Sequence, residues 1–160
     1  MVPSEITDAT DPTGFATARI LFQEYAAALG VDLSFQNFVE ELSHLEDMYG
    51  PLRRGCLLLL RQGGEAIGCV AIRNLDEIRC EMKRLYVKPQ LRGFGFGRRL
   101  AQRAVERARE LRYGQIVLDT LPAMTEAQSL YASLGFRETE SYYPNPLSGT
   151  RYLELALGAA

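Results

Sequence analysis

Val87-Lys88-Pro89-Gln90-Leu91-Arg92-Gly93-Phe94-Gly95-Phe96-Gly97-Arg98-Arg99-Leu100 decides how the rest of the chain is read. A β-rich stretch ends at Pro89, glycines follow at alternate positions 93, 95 and 97, and an amphipathic helix then begins. Glycine lets the backbone come close to a ligand and turn its N–H groups toward it. The positive end of the following helix dipole points at the same place. Together these features predict an anion site, most naturally for a phosphate or pyrophosphate. Two familiar phosphate loops do not match. A dinucleotide fingerprint needs G-x-G-x-x-G in an opening βαβ unit, whereas this chain carries G-x-G-x-G past its middle. A P-loop needs Gly-Lys before Ser or Thr, and Gly97-Arg98-Arg99 does not supply it.

With 160 residues, the chain predicts one domain, residues 1–160, large enough for a sizeable core. A hydrophobic content of 47% and a charged content of 24% are those of a globular protein in water. The net charge of −2 argues against nucleic acid as the main partner. Cys56-Leu57-Leu58-Leu59-Leu60 is far shorter than the ~20 apolar residues a membrane span requires, so no membrane partner is expected. The N-terminus shows no basic segment followed by an apolar one, so no signal peptide is expected. Cys56, Cys69 and Cys80 lie apart, without metal-ligand spacing and in odd number. They read as buried reduced thiols in a cytoplasmic protein, and no metal is expected.

Apolar residues at Phe15, Ala18, Phe22, Tyr25 and Leu29 predict a helix from Phe15 to Leu29 with one buried face, stopped by Gly30. A second helix is expected after Ser34, with Phe35, Phe38, Val39, Leu42 and Leu45 inward and His44 on the solvated side. Leu57 to Arg61 and Glu65 to Arg73 read as a hairpin around Gln62-Gly63-Gly64, and Cys80 to Val87 as a third strand. Leu100, Ala101, Ala104, Val105, Ala108 and Leu111 mark one face of a helix reaching about Arg112. Gln115 to Asp119 is a compact strand, and Thr125 to Leu134 a short helix closed by Gly135. Phe136 to Glu138 and Tyr152 to Leu157 read as strands, with Tyr142 to Gly149 a proline-containing loop. The order helix, helix, hairpin, strand, helix, strand, helix, hairpin predicts an α/β sandwich around one mixed sheet, with helices on both faces.

Gln90-Leu91-Arg92-Gly93-Phe94-Gly95 matches Q-x-x-G-x-G, and Leu130-Tyr131 with Gly135-Phe136 matches L-Y-x-x-x-G-F about 40 residues later. With both motifs in this order, the chain resembles the GNAT superfamily of acyl-CoA-dependent N-acyltransferases over roughly Glu65 to Phe136. The resemblance implies a sheet of six or seven strands, splayed between Cys80–Val87 and Gln115–Asp119, with acetyl-CoA in the opening. Main-chain N–H groups of Arg92, Gly93, Phe94, Gly95, Phe96, Gly97 and Arg98 would hold the pyrophosphate. The exposed main chain of Leu85, Tyr86 and Val87 would pair with the pantetheine arm as an added strand. Pro89 lacks an N–H and would help end that pairing. Phe94 and Phe96 are expected to pack under the loop. Many family members carry asparagine seven residues before the motif tyrosine; here Met124 stands there, so no side-chain hydrogen bond to pantetheine is carried over.

Acyl transfer needs a neutral amine, and a lysine-type amine with its ordinary pKa is neutral only about once in two thousand molecules at pH 7. A base must take its proton, and the leaving thiolate needs an acid. Tyr131 matches the family tyrosine near the thioester sulfur and is the expected acid. Glu81, six residues before Val87, is the expected base, where some family members carry a catalytic glutamate; a structural ion pair or a water chain is the other reading. Strand alternation puts Glu81, Lys83, Leu85 and Val87 on one face and Met82, Arg84 and Tyr86 on the other. A covered central strand should not hold such charges without partners or purpose. Lys83 and Arg84 are therefore candidates for an acidic group of the acceptor. Tyr142 and Tyr143, in the stiff loop before Gly149, are candidate acceptor-wall residues. The expected activity is transfer of acetyl from acetyl-CoA to a small-molecule amine. A protein acetyltransferase and a CoA-binding sensor without turnover remain the alternatives, and a homodimer is compatible with the family.

Overall fold

In the computed structural model, residues 2–158 are described. They form a seven-stranded sheet, order β1-β2-β3-β4-β5-β7-β6, between two helical layers. The strands are β1 (Ser4–Asp8), β2 (Cys56–Gln62), β3 (Glu65–Asn74), β4 (Arg79–Val87), β5 (Gln115–Thr120), β6 (Arg137–Thr139) and β7 (Arg151–Ala156). The helices are α1 (Pro12–Leu29), α2 (Phe38–Ser43), α3 (Leu45–Met48), α4 (Phe96–Glu110) and α5 (Thr125–Ser133). Only β4 and β5 pair in parallel; every other neighbouring pair is antiparallel.

The run at β2 is apolar because both of its faces are covered. Leu58 and Leu60 pack with Val70, Met82, Leu100, Ala104 and Ile116 under α4 and α5. Leu57 and Leu59 pack with Phe15, Phe22, Leu45 and Tyr49 under α1 and α3. The β2–β3 hairpin closes through Gly63 and Gly64, both at positive φ (59° and 85°), as a two-residue turn of this hand requires. Asp11 caps α1 by accepting from the Gly14 N–H at 2.7 Å, with Pro12 opening the first turn.

Three expectations are corrected. The chain opens with a strand, not a helix: β1 is an edge strand whose single apolar residue, Ile6, gives no alternation to read, and its pairing with β2 comes from the main chain. The second helix is broken into a 3-10 turn at Ser34–Gln36 and the short helices α2 and α3, with Asn37 left-handed between the first two pieces. That break turns Val39 outward to 75% exposure, while His44 is exposed as expected.

The third correction shapes the site. On β3, Cys69 faces Tyr86 and Ala71 faces Lys83, so Arg84 and Leu85 together oppose the single residue Val70. This is a β-bulge, and Arg84 takes φ = 61° within it. The bulge shifts the alternation by one residue. Met82, Leu85 and Val87 all face the α4 core, and Tyr86 faces α1. Lys83 and Arg84, expected on opposite faces, both reach Glu41 on α2.

Candidate active site

The β4–β5 ladder consists of Arg79↔Gln115, Cys80↔Ile116 and Glu81↔Val117, and then stops. Beyond it β4 pairs only with β3, while β5 continues against β7 through Thr120 and Arg151. The two strands therefore part in a V, leaving the β5-facing edge of β4 from Met82 to Val87 without a strand partner.

A cleft of about 600 Å³ runs along this edge. Leu85, Tyr86 and Val87 form one wall, Met124, Ala127 and Leu130 the other, and Tyr25 with Leu29 the floor. Its far end is the glycine loop. Gly95 precedes the first residue of α4 at φ = 84°, and no side chain caps the helix. Gly93 takes φ = 88°, and a Cβ at either glycine would project into open space. The first-turn N–H groups of a 15-residue helix thus face the cleft with no acidic residue beside them. Arg92, Phe96, Gly97 and Arg98 complete this end. The Arg92 guanidinium donates to the Val87 carbonyl at 2.9 Å, and Arg98 to Ser133 Oγ at 2.6 Å. Phe94 departs from expectation: it is 70% exposed and outside the cleft lining, because the left-handed glycines on either side turn residue 94 outward. Phe96 does pack against the core. These features fit an extended ligand bearing a diphosphate. Met124 lines the cleft where a hydrogen-bonding side chain was absent from expectation, and Gln128 satisfies the nearby Leu121 carbonyl at 2.7 Å.

Tyr131 is buried on α5 in the core behind the cleft wall, outside the cleft lining itself, with its ring tilted against Phe136 at 5.6 Å. Burial raises its pKa, and the neighbouring Tyr25 and Asp119 raise it further. It is thus a phenol that keeps its proton at neutral pH and lies within the electrostatic reach of Asp119.

The other expected residues meet on the α1–α3 face. Glu81 is buried, 3.0 Å from Arg73 Nη2, and accepts a hydrogen bond from Tyr142 Oη at 2.5 Å. Its Oε1 has no hydrogen-bond partner among the described residues. Lys83 has its ammonium 4.0 Å from both Glu41 and Glu81. Burial, and then the charge of Arg84, hold its pKa below the ordinary lysine value. Arg84 is fully engaged: it donates from Nε and Nη2 to Glu41 at 3.0 and 2.7 Å and from Nη1 to Gln36 Oε1 at 2.8 Å. The rings of Tyr25 and Phe38 flank its guanidinium. Tyr143 donates to Asp119. The loop bearing both tyrosines therefore lies closed over the buried Glu81 and the half-buried Asp119.

Asp119, Glu41 and Gln36 belong to the candidate site and were missed by sequence reading. Asp119 lies at the end of a strand that was recognised, and what sets it apart is its position beyond the last β4–β5 rung, a feature of the packed sheet. Burial raises its pKa, a trend opposed by the Tyr143 hydrogen bond and reinforced by Glu81. Glu41, on the short helix α2, is 1% exposed. Burial pushes its pKa up, but the hydrogen bonds and charge of Arg84 outweigh this and hold it below the usual value.

Comparison with known proteins agrees with this geometry. The model of the acetyltransferase (GNAT) family matches residues 18–136. An uncharacterized N-acetyltransferase of Schizosaccharomyces pombe is 41% identical over 141 residues, covering 87% of this chain and 86% of that protein. An acetyltransferase of the same family from Staphylococcus aureus has a similar fold, with a TM-score of 0.80 at 19% identity, covering 98% of this chain and 100% of its own. A putative acetyltransferase from Salmonella typhimurium, solved with its cofactor acetyl-CoA, aligns with a TM-score of 0.70 at 20% identity over 97% of this chain and 94% of its own.

Proposed function

The chain belongs to the GNAT family of acetyltransferases, and on that premise we propose that it moves the acetyl group of acetyl-CoA directly onto a primary amine of a small molecule. The observation that carries this reading is the continuity of the cleft. It runs from an uncapped, glycine-built helix N-terminus along a strand edge without a partner, and Tyr131 lies next in the chain to Leu130 of its wall. The α4 N–H groups hold the diphosphate, and the free edge of Leu85 to Val87 pairs with the pantetheine arm.

The acceptor approaches from the α1–α3 face, on the opposite side of the V. Glu81 takes the ammonium proton, the nitrogen attacks the thioester carbonyl, and the C–S bond breaks. Tyr131 gives its proton to the departing thiolate and is re-protonated by the second proton that the nitrogen sheds in becoming an amide, while Glu81 returns the first to solvent as product leaves. Closure of Tyr142 over Glu81 and of Tyr143 over Asp119 favours a small acceptor over a folded protein surface. Among the described residues no helix is long and apolar enough to cross a membrane. Three buried free thiols favour a reducing compartment, and we assign the protein to the cytoplasm.

The test is thiol release from acetyl-CoA across a panel of amines. Tyr131→Phe and Glu81→Gln should each lower turnover by about 10²-fold or more, with CoA affinity within about threefold of wild type. Activity surviving both changes refutes the assigned roles. Calorimetry showing no binding of CoA or acetyl-CoA refutes the reading as a whole.

A further inference from the structure

Three cations and three carboxylates meet on the α1–α3 side of the V: Arg73, Lys83 and Arg84 with Glu41, Glu81 and Asp119. Two pairs neutralise one another at close range. Arg84 grips Glu41 through two hydrogen bonds, and Arg73 lies 3.0 Å from Glu81. That leaves one cation and one anion over. Lys83 has a side chain only 8% exposed, yet among the described residues its ammonium makes no hydrogen bond, and its nearest carboxylates stand at 4.0 Å. Among the described residues, Asp119 receives hydrogen bonds only from neutral groups, the Tyr143 hydroxyl, Gln36 Nε2 at 3.4 Å and Asn145 Nδ2 at 3.5 Å. No ion pair within 4.0 Å joins the two.

Their placement follows from the sheet. The last parallel rung is Glu81↔Val117. Continuing that register by two residues would set Lys83 opposite Asp119, on the same face as Glu81. The strands part before that rung forms, so the leftover cation stands on the β4 lip of the V and the leftover anion on the β5 lip. A buried ammonium without hydrogen bonds is costly, and so is a half-buried carboxylate without a counter-charge. A ligand carrying both charges a few bonds apart would satisfy both lips at once.

We propose that the acceptor is a free α-amino acid, its carboxylate held by Lys83 and its ammonium by Asp119. This inference rests on the acetyltransferase reading and specifies its substrate class. Asp119 lies within electrostatic reach of Tyr131, the phenol that protonates the leaving sulfur. Glu81, one rung deeper on the same face, receives the proton that the ammonium gives up. The nitrogen forms its bond to the acetyl carbon as the C–S bond breaks, its second proton replaces the one Tyr131 gave to the sulfur, and the amino-acid carboxylate remains on Lys83. A peptide N-terminus or a lysine side chain has no carboxylate at this distance from its amine, and neither would complete Lys83.

The experiment compares free α-amino acids with their carboxamides, which keep the amine and lose the negative charge. Thiol release from acetyl-CoA and calorimetric binding to the CoA-saturated enzyme are both measured. The best amino acid should exceed its carboxamide in kcat/KM and in affinity by about 100-fold, as loss of one partner of a desolvated charge pair implies. In Lys83→Met the ratio should collapse to about threefold or less, with the KM for acetyl-CoA unchanged. Asp119→Asn should raise the acceptor KM for acid and carboxamide alike. Equal use of acid and carboxamide by the wild-type enzyme overturns the proposal while leaving acetyl transfer intact, and this arm needs no variant to fold. Preferential binding of acids without any thiol release would support the amino-acid site and refute the transfer reading instead.

Discussion

Replacing Glu41 by glutamine keeps the side chain's shape and removes its charge, leaving the Arg84 guanidinium buried without a counter-ion. Arg84 is 4% exposed and Glu41 1%, so solvent screens neither. Lys83, 4.0 Å from the same carboxylate, loses an attraction as well. Tyr49, which donates to Glu41 Oε2 at 2.9 Å, keeps an acceptor of weaker charge. Removing one partner of a buried ion pair costs about 3–5 kcal/mol. At about 2–4 °C per kcal/mol for a chain of this size, Glu41→Gln should lower Tm by about 10 °C. The double variant Glu41→Met, Arg84→Met replaces the pair with apolar side chains and should recover most of that loss, since the cost lies in the uncompensated charge and not in the absence of a bridge. Differential scanning calorimetry at pH 7 measures both. The sign of the pH dependence follows from the depressed carboxyl of Glu41. Its contribution is whole above the ordinary glutamate value and is lost as pH falls from there through the lower value in the folded state. The gap between wild type and Glu41→Gln should therefore narrow below about pH 4.5. A Glu41→Gln melting point within about 3 °C of wild type at pH 7, or a double variant no better than the single, would refute this account of the pair.

Gly95→Ala forces a Cβ onto a residue at φ = 84°, which costs about 1–2 kcal/mol, and points it at the diphosphate end of the cleft. Calorimetry should show CoA affinity falling about tenfold or more, with a Tm loss of a few degrees. Met124→Asn places a hydrogen-bonding group in the cleft wall and should tighten acetyl-CoA by about two- to tenfold in its KM, the worth of one added hydrogen bond. Asp119→Asn removes a carboxylate whose pKa is raised by burial, so its ionised form weakens the fold at neutral pH. The variant should melt above wild type at pH 7 while binding acceptor less tightly, a trade that a merely structural aspartate would not show. That stability difference should shrink as pH falls through the raised value, where wild-type Asp119 takes up its proton.

What the sequence determined by itself was local. Alternating glycines before an amphipathic run, and Leu130-Tyr131 with Gly135-Phe136, specify a loop, a helix start and a helix end through backbone freedom and side-chain periodicity alone. From the periodicities came the sandwich around a mixed sheet, while the cofactor wall and the role of Tyr131 were expectations from the resemblance those motifs carry. The tertiary structure decided everything that depends on which strand stops pairing with which. Ile6 alone could not announce β1, whose existence is owed to β2. Period-two counting separated Lys83 from Arg84, and the bulge that reunites them is a mismatch between two strands, invisible in either one. Glu41 and Asp119 carry no local mark distinguishing them from surface acids. They join the candidate site because α2 folds over the sheet and the β4–β5 ladder ends at Val117, two residues before Asp119. Charge acquires its chemical meaning only once burial and partners are settled, and those are properties of the packed chain.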